Sequence, residues 1–340
     1  MEPAENVQVE APQVAASRAA PRAQSSAPAA VVTAPPTPLD ALEIALLATT
    51  GIPIERRDVR AGALRLHTLT CGAGEEGDVP LVLLHGRGGA GAGFAPILPQ
   101  LAARRRVLTV DLPGWGLSEK PRFTGHTPED ALRVWTDGAL AFLDSQGLAQ
   151  VDLLGHSMGG FTALALALAH PERVRRLVLV DCAGLGYQIQ FDARLYFGLG
   201  PEKLHRRFGK RLTRAIQGHG GGAKPGATEG PAFEFAHGLL TQAEVIPSGA
   251  AAFHTWINLR GVHLTLTERL KELEMPTVLL WGDRDTVTPY ASALVAARYL
   301  RDGKLVTLSR CGHSPFVDRP DDFADVVLTW LDDVYVRPRV

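Results

Sequence analysis

Residues 151–160 read VDLLGHSMGG, and the helix-forming run FTALALALAH follows directly. A short apolar segment ends in Gly155-His156-Ser157-Met158-Gly159, which is G-x-S-x-G between a buried strand and a helix. Glycine is required on either side of such a turn because neighbouring backbone comes too close for a Cβ. The turn lifts a serine hydroxyl clear of the sheet, with the first amides of the helix aimed at whatever the hydroxyl attacks. The plainer alternative is a glycine-rich turn with an incidental serine, and the rest of the chain must decide.

Working outward, apolar runs alternate with helix-like segments. IERRDVR and LRLHTLTC, separated by Ala61-Gly62-Ala63, alternate apolar with polar residues and predict an antiparallel hairpin. PLVLLHG, RVLTVD, RLVLVD, TVLLWG and KLVTLS are near-continuous apolar runs, as strands covered on both faces should be. Residues 94–103 and 39–50 are expected to be helical. Thr127-Pro128-Glu129-Asp130 opens another helix with a hydroxyl cap, an early proline and acids at the positive end of the dipole. The alternation predicts an α/β fold: a mostly parallel sheet with helices on both faces and functional groups at the carboxyl ends of its strands.

The pattern breaks across 185–266, expected to be a helical cap inserted over the strand ends, with core at 39–184 and 267–340. The insertion holds the basic run LHRRFGKRLTR, read as a solvated helix face, and GHGGGAKPG, read as an exposed loop. Residues 1–38, built from Ala, Pro, Ser, Val and Gln, predict a disordered tail. Glu2 and Glu5 stand where a secretory signal would carry positive charge, and no membrane span is expected.

Composition excludes several partner classes. With 35 basic against 36 acidic residues, the net charge of −1 points to neither nucleic acid nor an anionic membrane surface. Cys71, Cys182 and Cys311 are too few and scattered for a disulfide framework or a metal site, so no metal or cofactor is expected and a cytoplasmic setting is the simplest fit.

The chemical partners of Ser157 should lie at other strand ends. His313 follows KLVTLSRCG and Asp285 follows TVLLWGDR. A serine hydroxyl is a poor nucleophile until an imidazole takes its proton, and the imidazole needs a carboxylate to fix its tautomer. Asp285 is the preferred acid, with Asp283 and Asp181 as rivals. His156 and His85 are read as structural, and His254 and His263 belong to the insertion. An oxyanion hole needs two N–H donors: the amide of Met158 after the nucleophile, and that of Arg87 in HGRGG after the PLVLLH strand. The Arg87 side chain itself either selects anionic substrates, folds outward to solvent or pairs with a cap acid.

HGRGG, DLPGWGLS, GHSMGG, WGDRD and CGHSP, in that order, resemble the α/β-hydrolase fold family over about residues 52–335. The resemblance implies an eight-stranded core sheet, a helical cap, and nucleophile, acid and base at Ser157, Asp285 and His313. Serine at the elbow sets aside the relatives that attack with aspartate. HGRGGAGAG also resembles the loop of carbon–carbon bond hydrolases acting on ring-cleavage products, but those usually carry tryptophan after the catalytic histidine, where this chain has Ser314. The expected function is therefore a serine hydrolase cleaving a small-molecule ester or similar acyl compound. The alternatives are a carbon–carbon bond hydrolase and a catalytically quiet receptor or scaffold.

Overall fold

The apolar runs assemble into one twisted sheet that carries the G-x-S-x-G turn at its middle. A computed structural model describes residues 36–74, 78–219, 229–301 and 303–332. The expected tail at 1–38 and the glycine-rich loop fall almost wholly outside them. In chain order the strands are β1 (Glu55–Ala61), β2 (Leu64–Cys71), β3 (Leu81–Leu84), β4 (Val107–Val110), β5 (Val151–His156) and β6 (Val174–Val180). A two-residue hairpin, β7 (Ile257–Asn258) and β8 (Gly261–Val262), precedes β9 (Thr277–Gly282) and β10 (Gly303–Leu308). Eight of these form one sheet in the order β1-β2-β4-β3-β5-β6-β9-β10. β2 runs antiparallel to β1 and β4, and the other neighbours are parallel. Every residue of β3, β4, β5 and β9 is buried, which explains their unbroken apolar character.

The helices of the core are α1 (Pro38–Ala48), α2 (Leu98–Ala102), α3 (Pro128–Ser145) and α4 (Met158–Ala169), then α10 (Tyr290–Ala296), α11 (Pro315–Asp318) and α12 (Pro320–Leu331) after the insertion. One apolar layer gathers Trp135, Phe142 and Phe161 from α3 and α4, and the other gathers Phe94, Phe323 and Trp330 around α12. The start of α3 is as expected: Thr127 Oγ1 accepts from the Asp130 amide at 3.1 Å, and the Asp130 carboxylate accepts from the Thr127 amide at 3.0 Å. The helix expected across 94–103 is shorter. A 3₁₀ turn at Gly91–Phe94 comes first, and α2 begins only at Leu98, with Pro99 in its first turn.

Between β6 and β9 lie α5 (Phe191–Leu199), α6 (Pro201–Phe208), α7 (Lys210–His219), α8 (Pro231–Thr241) and α9 (Ala251–Trp256), here termed the cap. α1 joins this cap to the sheet. Leu42 and Leu39 press against Gly238 of α8, where a Cβ would lie 2.8 and 3.1 Å from their methyl carbons. On its other side α1 sends Glu43 to Arg56 at 2.6 Å and to His67 at 3.0 Å.

His67 is buried on β2 between two carboxylates, with Asp58 2.8 Å from its other ring nitrogen; Arg65 pairs with Asp58, and Asp111 adds a further negative charge. Burial disfavours its charged form, yet the bonds to Asp58 and Glu43 win and raise its pKa to about 10. An unfolded histidine titrates near ~6.5. The stabilisation is thus fully present below that pH and is lost as pH rises towards the folded value. The difference in unfolding free energy between the parent and His67→Gln should shrink steadily between about pH 6.5 and the folded value. A difference that stays flat over that range would show that the buried imidazole is not charged.

Candidate active site

The backbone at Ser157 is strained. Its φ of 53° and ψ of −116° lie outside the comfortable regions for a residue with a Cβ, at a cost of roughly 1–3 kcal/mol. The conformation is held by the Ser157 amide donating to Val180 O at 2.9 Å and by Ser157 O accepting from Phe161 and Ala183. The flanking glycines permit it: a Cβ on Gly159 would meet Leu84 O at 2.2 Å, and one on Gly155 would meet Gly159 O at 2.3 Å.

His313 enters from the loop after β10. Its Nε2 lies 3.0 Å from Ser157 Oγ, and its Nδ1 lies 2.8 Å from Asp285 Oδ2. Asp285, just past β9, is buried. Its Oδ1 accepts from the amides of Val287 at 2.7 Å and Thr288 at 3.0 Å, and its Oδ2 accepts from Thr288 Oγ1 at 2.5 Å. Burial alone would raise the Asp285 carboxyl, but the neighbouring imidazole, the Thr288 hydroxyl and the Val287 amide hold it below its ordinary value. The sequence-predicted Ser157, Asp285 and His313 therefore meet in one hydrogen-bonded row.

The rival acids are elsewhere. Asp283 is exposed and accepts from the Cys311 amide at 3.3 Å. Asp181 is fully buried beneath the site, at a φ of 41°, and accepts from the Gly282 amide at 2.9 Å. Burial, reinforced by the charge of Asp285, pushes the Asp181 carboxyl well above its ordinary value and favours its neutral form. His156, Asp181 and His313 each bring a possible metal-ligating atom within 4.8 Å of the others. Both ring nitrogens of His313 are already engaged with Ser157 and Asp285, so this group is poorly suited to hold an ion.

The other two histidines near the row position backbone. Burial, with His313 adding to it, pushes His156 down to about 3; the ring is neutral and its Nε2 donates to His313 O at 2.6 Å. His85 is likewise buried and its pKa lowered; its Nε2 accepts from the Leu112 amide at 2.9 Å, and its Nδ1 lies 2.7 Å from Gly86 O. These bonds set the loop that carries Arg87, and a Cβ on Gly86 would touch Ser157 Cβ at 3.2 Å. The loop therefore sits against the serine. His254 and His263 stay on the exterior of the cap, and His263 bonds Asn258 at 3.1 Å.

The Arg87 guanidinium turns into the cap. It meets Glu202 of α6 at 2.5 Å, with both side chains buried, at 7% and 3% exposure. The rings of Trp115, Phe197 and Phe253 surround it at 5.0 to 5.6 Å. A charge compensated this way presents little net field to a substrate. Arg87→Ala should therefore lower activity on matched neutral and anionic esters by the same factor, through disturbance of the loop. A KM rise confined to the anionic ester would show charge selection instead.

Residues 81–326 match the Alpha/beta hydrolase family. The chain belongs to this family. This α/β-hydrolase is 30% identical over 288 aligned residues to 2-hydroxymuconate semialdehyde hydrolase of Pseudomonas sp. (strain CF600), with 81% of this chain and 93% of that one covered. It is also 28% identical over 286 residues to 2-hydroxy-6-oxo-6-(2'-aminophenyl)hexa-2,4-dienoic acid hydrolase of Metapseudomonas resinovorans, with 81% and 90% covered. Among solved structures it resembles a bacterial membrane phospholipase A at 27% identity and a TM-score of 0.70, over 87% of this chain and 91% of that one.

Two contributors escaped the sequence reading. Thr288 stands three residues after Asp285, a spacing at which a hydroxyl and an amide can both reach the carboxylate. Glu202 carried no local signal, because its partner Arg87 lies 115 residues away.

Proposed function

We propose that this α/β-hydrolase is a serine hydrolase that cleaves a carboxylic ester or similar acyl compound through an acyl-enzyme. The unbroken row Ser157 Oγ–His313–Asp285, at 3.0 and 2.8 Å, carries the reading. Ser157 attacks the carbonyl while His313 accepts its proton and then passes it to the leaving group; Asp285 keeps the His313 tautomer and balances its charge. The amides of Arg87 and Met158 would receive the oxyanion. Water then attacks the acyl-enzyme with His313 again as base, and no metal or cofactor takes part in these steps. The helices at 185–266 act as a lid over the site. The intact row speaks against a quiet receptor or scaffold.

A second reading is carbon–carbon bond hydrolysis of a ring-cleavage-type diketone. The curated relatives named above favour it, being hydrolases of muconate semialdehyde and hexadienoic acid type. The phospholipase A among the structural relatives favours the ester. Within the site, the compensated Arg87 favours a neutral substrate, and Ser314, in place of the tryptophan usual in the carbon–carbon bond hydrolases that HGRGGAGAG resembles, favours the ester. Steady-state rates on p-nitrophenyl esters of graded chain length, beside vinylogous diketones, decide between the two. A kcat/KM larger for the esters by tenfold or more is the expected result, and a preference for the diketones would install the second reading.

A further inference from the structure

The cap exposes an apolar stripe on α5 and a run of cations on the adjoining α6 and α7. α5 and α6 are tied together: Tyr196 Oη lies 2.8 Å from His205 Nε2, and only Gly200 separates the two helices. Their inner faces converge on Arg87, through Phe197 of α5 and Glu202 of α6. Their outer faces consequently both point away from the sheet.

On α5 that outer face carries Phe191, Leu195 and Leu199 at i, i+4 and i+8, exposed by 73%, 43% and 51%. Tyr187 is exposed by 69% just before them, and Leu259, also half exposed at 50%, lies against Gly198 of the same helix. A helix of nine residues with no buried side chain and an apolar stripe in water is unusual for a soluble surface. Along 187–215 the exposed cations are Lys203, Arg206, Arg207, Lys210, Arg211 and Arg214 and the exposed acid is Asp192. Lys210 pairs with Glu234 of α8 at 2.7 Å and Arg214 lies over the Phe233 ring, which leaves Lys203, Arg206, Arg207 and Arg211 as the cations nearest α5 in sequence. The neutral total of the chain conceals this local excess. The exposed Phe208 sits within it, next to Arg206 and Arg207.

We infer that the outer face of α5 and α6 docks on an anionic phospholipid surface, with Phe191, Leu195 and Leu199 entering the acyl boundary and the neighbouring cations meeting the headgroups. The combination of a half-buriable apolar stripe with flanking Lys and Arg is what an interfacial helix requires. A second copy of the chain is the less favourable occupant. A symmetric contact through this face would set the same cations against each other. Among the described residues no helix is long and apolar enough to cross a membrane, so the contact is peripheral. The inference concerns binding alone and stands apart from the choice of substrate.

Flotation of the full chain with vesicles tests it, using phosphatidylcholine alone and phosphatidylcholine with one-third phosphatidylglycerol, at low and high salt. Binding should appear on the anionic vesicles and weaken as salt screens the headgroups. Arg206→Glu, Arg207→Glu and Arg211→Glu combined should lower it on the order of a hundredfold, at about fivefold per cation. Phe191→Ser, Leu195→Ser and Leu199→Ser combined should abolish the salt-resistant part. All six positions are exposed, and an unchanged melting temperature and ester turnover in solution would show that the fold is kept. Absence of binding to anionic vesicles overturns the inference, as does equal binding to both vesicle types. A concentration-dependent dimer that the serine variants dissolve would show that the stripe serves self-association instead.

Discussion

Ser157→Ala should eliminate covalent labelling by a fluorophosphonate and lower ester turnover by several orders of magnitude. Ser157 carries the only hydroxyl in the turn between β5 and α4, and its Oγ lies 3.0 Å from His313 Nε2. What survives would reflect the oxyanion amides and binding alone. The fold should be untouched, since the strained turn is held by backbone bonds to Val180, Phe161 and Ala183. Glycine there should relieve the positive φ as well, so Ser157→Gly is expected to be inactive yet more stable than the parent by about 1 kcal/mol. Thermal unfolding beside turnover checks both halves. An alanine variant that retains most of its activity would remove Ser157 from the chemistry.

The second large effect separates the acids. Asp285→Asn should cost on the order of 10⁴ in turnover, because an amide cannot balance the imidazolium and favours the wrong tautomer. Asp283→Asn should cost little, its side chain being turned to Cys311. Asp181→Asn should also cost little, for a different reason. The Asp181 carboxyl is already biased to its neutral form, which asparagine mimics in shape. A dominant loss from Asp181→Asn, with Asp285→Asn mild, would make Asp181 the working carboxylate.

Much of this site was legible because its signals are local. The turn around Ser157 needs small neighbours and a following helix, and both are written within ten residues. His313 could be found because only one histidine follows a strand end late in the chain. The acid was harder. Asp181, Asp283 and Asp285 all lie at or just past strand ends, and only the structure shows the Gly282 amide on one, the Cys311 amide on another and His313 on the third. For Arg87 the sequence offered a cap acid among the alternatives but not which one, since Glu202 arrives from a distant helix of the cap. The short α2 was misjudged because an apolar run beside Pro99 reads as one helix, whereas the chain first completes a 3₁₀ turn. The basic run of α6 and α7 was visible in the sequence and read as a solvated face because the whole chain is neutral, although net charge sums over surfaces that face different ways.

The hypothesis of an acyl-enzyme is tested most directly by trapping it. The protein is mixed with an excess of a p-nitrophenyl ester, quenched in acid within milliseconds to seconds, digested and examined by mass spectrometry. The acyl mass should appear on the peptide that contains Ser157, together with a burst of p-nitrophenol close to one equivalent. Turnover of the ester with no burst and no adduct, or an adduct on any other residue, would contradict it.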